Sequence, residues 1–122
     1  MDLMPDALPL HGPYDPVRTT DAAHLVHQLV RYLNYATRHA AAVPDPVAAY
    51  ETVGSLRLAA ALLPQAFGQV GKRVGECPEA GAALREAAQL ATALADKLST
   101  VQSDLRWQAL HGSPQPVLAE AA

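Results

Sequence analysis

From Ala49 to Val74 the apolar residues recur at alternating steps of four and three: Ala49, Val53, Leu56, Ala60, Leu63, Phe67, Val70 and Val74. That spacing is the heptad seam of a helix packed against another helix. The phase survives across Pro64, so the pattern predicts one helix over 46–74, kinked at Pro64, rather than two. Asp45 serves as its cap and Pro46 takes the first helical position, a favoured pair. Pro64 removes the hydrogen bond to the Ala60 carbonyl, a cost of ~3 kcal/mol in a regular helix. Leu58 and Leu62 face away from the seam, and a helix that is apolar on several sides is one that is buried.

The segments on either side read as partners for this helix. Upstream, Ala22, Leu25, Val26, Leu29, Leu33, Ala36 and Ala40 form one stripe. They predict a helix over 19–42, capped by Thr19 or Thr20, with Asp21 in its first turn and Pro44 beyond its end. Downstream, Leu84, Ala87, Ala91, Leu94, Leu98, Val101 and Leu105 form another stripe, which predicts a helix over 78–111 opening at Pro78. The intervening turn, Gly75 to Pro78, is short enough to make an antiparallel hairpin. The expected fold is all-α: an antiparallel three-helix bundle with long helices. A proline-rich extended arm covers residues 1–18 and a disordered tail residues 113–122.

Composition agrees with this class. Half of the 122 residues are hydrophobic, mostly Ala, Leu and Val, only 5% are aromatic, and isoleucine is absent. Ala and Leu favour helices, and scarce β-branched and aromatic residues disfavour sheets. The net charge of −3 gives the molecule no overall attraction to nucleic acid or acidic lipid. The single cysteine, Cys77, excludes an intramolecular disulfide and a cysteine-rich zinc site. The stretch 1–16 has no basic residue and four prolines, so it does not read as a secretory signal. No apolar run is long enough for a membrane span. A cytoplasmic location is expected.

Chemistry-bearing motifs are few. Asp21, His24 and His27 drift around a helix instead of converging as metal ligands must, so no metal and no cofactor are expected. Cys77 lies near a helix start, which lowers a thiol pKa, but Glu76 and Glu79 oppose a thiolate. Gly68 to Arg73 fails the phosphate-loop pattern, with Ala66 where a glycine is needed and Arg73 where Ser or Thr is needed. No serine sits in a nucleophile elbow. Catalysis is therefore not expected. The best candidate surface is the polar side of the first helix, where His24, His27, Arg31, Tyr35 and Arg38 line up. Such a stripe can contact phosphates through its cations and its phenol.

The segment Tyr50 to Val74, centred on Leu-Arg-Leu-Ala-Ala-Ala-Leu-Leu-Pro-Gln, resembles small all-helical actinobacterial proteins of unknown function, chromosomal or carried on mobile elements. The resemblance implies an accessory or regulatory role and assigns no site residue. The expected function is a non-enzymatic helical interaction or oligomerisation module. The alternative is a small nucleic-acid-associated regulator using the basic side of the first helix. Leu58 and Leu62 need cover, from Leu8 and Leu10 of the arm or from a second protomer, since burying one Leu is worth ~1.5–3 kcal/mol. A homodimer with Leu58 and Leu62 at its interface is expected.

Overall fold

The computed structural model describes residues 8–111. Among them the chain is helical without strands: α1 (Pro16–Ala36), a short 3₁₀ turn (Ala40–Ala42), α2 (Pro46–Arg73) and α3 (Pro78–His111). It divides into two compact units, Met1–Ala42 and Val43–Ala122. The tail expected over 113–122 and the first seven residues of the arm lie outside the described residues.

In the first unit, α1 starts three residues before the expected Thr19 cap. Asp15, in extended backbone, accepts the backbone N–H of Arg18, and Pro16 stands at the first helical position. A proline suits that place because its missing N–H would have no helical partner there. The threonines turn inward instead: the Thr19 and Thr20 hydroxyls donate to the carbonyls of Asp15 and Pro16 one turn back. The helix also ends earlier than expected, at Ala36. The Thr37 N–H and hydroxyl both donate to the Leu33 carbonyl. The following N–H groups reach back three residues rather than four, Arg38 to Tyr35 and His39 to Ala36. This tightening is how a helix commonly runs out.

In the second unit, α2 is capped by Asp45, whose side chain accepts the Ala48 N–H, and runs unbroken through Pro64. It packs along α3. Near the four-residue turn, Gly71 stands against Gly81 and Leu84. Farther out, Gly54 stands against Gln102, and Arg57 Nε donates to Gln102 Oε1 at 2.8 Å. At the far end Val47 and Tyr50 share a cleft of about 180 Å³ with Arg106, Ala109 and Leu110.

The fully buried residues along this seam are small. The buried positions are Gly54 and Ala60 on α2 and Gly81 and Ala91 on α3. Among the described residues no large side chain is fully buried. The half-buried seam of α2 runs Val53, Arg57, Pro64, Phe67, Gly71 and Val74 around Ala60. That of α3 runs Leu84, Ala88, Ala95, Leu98, Gln102 and Leu105 around Ala91. The sequence pattern had placed Leu56, Leu63 and Val70, and likewise Leu94 and Val101, on these lines. Each is displaced outward by its neighbour: Arg57, Pro64, Gly71, Ala95 and Gln102 take the seam. The backbones come close at the turn end, where a methyl at Gly81 would stand in contact with the Gly71 carbonyl oxygen at 3.8 Å, while Leu84, Leu98 and Leu105 stay half-buried on the seam of α3.

Gly54 and Gly68 differ in what surrounds them, and this yields a prediction. A Cβ at Gly68 meets nothing within 4 Å, whereas one at Gly54 would fall 2.5 Å from the Gln102 amide nitrogen. Alanine is worth ~0.5–1 kcal/mol over glycine inside a helix. Gly68→Ala should raise Tm by several degrees. Gly54→Ala should not, because moving Gln102 forfeits its hydrogen bond to Arg57, worth ~0.5–1.5 kcal/mol. Paired thermal melts by circular dichroism check both.

Candidate interaction surfaces

The polar side of α1 is an exposed strip. At 100° per residue, His24, His27, Arg31 and Tyr35 fall within one narrow arc, opposite the half-buried Leu25 and Leu33. The His24 and His27 rings are tilted to each other with centroids 6.1 Å apart. Arg38 lies in the turn beyond the helix, and its guanidinium carbon sits 4.9 Å above the centre of the Tyr35 ring. That cation–π contact joins the last two members of the predicted stripe. Among the described residues no group of three or more His, Cys, Asp or Glu side chains converges as metal ligands would.

Ahead of α1, residues 8–15 fold back on themselves. The Gly12 N–H donates to the Pro9 carbonyl, with Gly12 at φ 84°, and the Tyr14 hydroxyl donates to the Leu10 carbonyl at 2.6 Å. Leu8, Leu10, Pro13 and Tyr14 with Thr19 and Ala22 line an open, mostly apolar cleft of about 290 Å³. Asp15 and Arg18 close its rim through a 2.6 Å ion pair. The backbone N–H of Arg18, and then its guanidinium charge, hold the Asp15 carboxyl below its ordinary range.

The second unit also carries an exposed apolar surface. Leu56 and Leu63 are 38% and 37% exposed, Val70 is half exposed, and all three stand about a quarter-turn from the α2 seam. On α3, Leu90, Leu94 and Val101 are likewise exposed and about a quarter-turn from its seam. Leu58 and Leu62, the pair picked out in the sequence, are also exposed, but on the far side of α2 from α3. The sequence pattern assigned Leu56, Leu63, Val70, Leu94 and Val101 to buried helix–helix seams, and so missed them as surface. One signal could have found them: small residues keep the seven-residue step too, as Gly81, Ala88 and Ala95.

No helix among the described residues is long and apolar enough to cross a membrane. No protein-family model matches the chain, and no curated protein and no solved structure matches it either.

The Asp15 cap has a testable pH dependence. A carboxyl whose pKa is depressed by folding contributes fully above its unfolded value, ~3.9, and loses that contribution as pH falls through its lower folded value. Amide NMR signals of residues 17–20 should therefore shift toward disordered values below about pH 4. Asp15→Ala should show the disordered values already at neutral pH. Asp15→Asn, also a good cap, should keep the helical values and lose the pH dependence.

Proposed function

We propose that this chain is a non-enzymatic helical interaction and oligomerisation module, an antiparallel bundle whose working surface is one face of the α2–α3 pair. The antiparallel reading is supported by the order of contacts: Gly71 with Leu84, Gly54 with Gln102, then Tyr50 beside Arg106. In each of these pairs, as one residue number rises the other falls. In such a pair the two quarter-turns fall on the same side. Leu56 then stands level with Val101, Leu63 with Leu94, and Val70 with Ala87, as three rungs at seven-residue steps. Leu90 extends the ladder between two rungs.

The uncovered ladder is the observation that carries this reading. Its large side chains are 37% to 72% exposed and share one face, and a contiguous exposed apolar patch marks an interaction surface. The opposite side carries Gln65, Lys72, Arg85, Thr92, Ser99 and Ser103, all exposed. A hairpin that is apolar on one face and polar on the other is half of a larger helical packing.

The test uses the double variant Leu63→Glu with Leu94→Glu. Both residues lie off the α2–α3 seam, so helicity should persist. If packing covers the face in solution, each substitution forfeits the ~1.5–3 kcal/mol of a buried Leu, and Tm should fall by ~10 °C or more. An unchanged or higher Tm would contradict the reading.

A second reading rests on the exposed arc of α1: a small nucleic-acid-associated regulator. His24, His27, Arg31 and Tyr35 share a side, and Arg38 is held over Tyr35. Binding to duplex DNA that weakens steeply with salt, and that is abolished by Arg31→Glu with Arg38→Glu in a still-helical chain, would favour it. No binding at low salt would exclude it.

A further inference from the structure

Resting on the reading of the α2–α3 face above, we infer that its occupant is a second copy of this chain, placed by a two-fold axis parallel to the helices. In this arrangement α2 of each copy lies over α3 of the other, and the two Val74–Cys77 turns sit at the same end. Each helix keeps antiparallel neighbours on both sides, as in an up-down four-helix bundle.

Three features of the face select this occupant. First, it presents two parallel lines of apolar residues, 56-63-70 on α2 and 87-94-101 on α3, with the same seven-residue step. A surface with two lines is matched by another with two lines, and the same hairpin offers them at the same step. A self-complementary patch is what a two-fold dimer requires. Second, the ladder is continuous, and the charged residues nearest it, Arg73 on α2 and Glu86, Lys97 and Asp104 on α3, all stand at its outer edges. Third, the edges of the face carry charges that match only across copies. Arg73 lies at the outer edge of the face on α2 and Glu86 at its outer edge on α3, both exposed. Within one hairpin they stand on opposite flanks, and neither has an ion-pair partner among the described residues. With α2 over α3 of the partner, Arg73 comes level to within about 3 Å along the axis with Glu86 of the other copy, twice by symmetry. An axis across the helices would instead put the turns at opposite ends, ~40 Å apart for a helix of this length, and would separate the two charges.

Cys77, exposed and single, reports the end-to-end orientation. Sedimentation velocity over a dilution series should give twice the 12.9 kDa chain mass, falling to the monomer on dilution. The variant Leu63→Glu with Leu94→Glu should be helical and monomeric at every concentration. A short bismaleimide should join the Cys77 side chains into a covalent dimer in the native protein, but not in the face variant. Arg73→Glu should weaken the dimer several-fold, and adding Glu86→Arg should restore it. A dimer that survives the face variant would overturn the inference, and a dimer whose Cys77 pair does not cross-link would overturn the orientation. A chain that stays monomeric while the face variant still loses thermal stability would overturn the second copy as occupant. The packing role of the face would stand in that case.

Discussion

The close approach of α2 and α3 on residues too small to fill a core governs the rest of this structure. Gly71 and Gly81 bring the backbones together at the turn, and Ala60 and Ala91 are the buried apolar side chains farther along. A pair of helices alone can enclose little, and this pair encloses only small groups. Leu84, Leu98 and Leu105 are half-buried on the seam, whereas Leu56, Leu63, Leu90 and Leu94 stand beside it. Arg57 and Gln102 form a polar contact on that seam at 2.8 Å. A hydrogen-bonded pair among apolar layers has one satisfactory register and penalises slipped ones.

What the seam excludes becomes the surface. Leu56, Leu63 and Val70 on one helix and Leu94 and Val101 on the other are displaced by the same one-residue offset. Since helices are periodic, the offset repeats every seven residues and the displaced residues collect on lines. Lines on two neighbouring helices make a face. A modest change in which residue occupies alternate seam positions therefore decides whether the α2–α3 pair hides these leucines or leaves them exposed. The proposed interaction role follows from that choice rather than from any catalytic grouping.

Much of the fold was legible in the sequence, for physical reasons that differ by element. The Asp45-Pro46 pair announces α2, and its apolar spacing carries across Pro64 because the proline sits on the half-buried side against α3, with strong helix formers before it. The start of α1 was harder to see. Asp15-Pro16 repeats the cap-and-proline device of Asp45-Pro46, but it follows Pro9 and Pro13, so the proline reads as part of an irregular arm. The end of α1 was obscured by the alanines at 40–42, which favour helix in isolation yet follow backbone already tightened at Thr37. On the seam, Val53, Ala60, Phe67, Leu84, Ala91, Leu98 and Leu105 stand where the apolar spacing puts them, and alternate positions are one residue off. At the close approach small residues take the place that size alone assigns elsewhere: Gly71 stands in for Val70 and Ala95 for Leu94. The α1 strip was found as a set of residues, but the contact of Arg38 with Tyr35 depends on a turn that the sequence pattern placed inside a helix.

The small-residue seam is tested most directly by enlarging it. Ala60 is 3% exposed in the midst of the α2–α3 contact, so Ala60→Leu leaves helix propensity nearly unchanged and forces extra volume between the two helices. Overpacking of this kind costs ~1–3 kcal/mol. Thermal unfolding of this single variant should show Tm lowered by several degrees or more. A Tm equal to or above that of the unaltered chain would mean that Ala60 does not face α3, and would contradict the account.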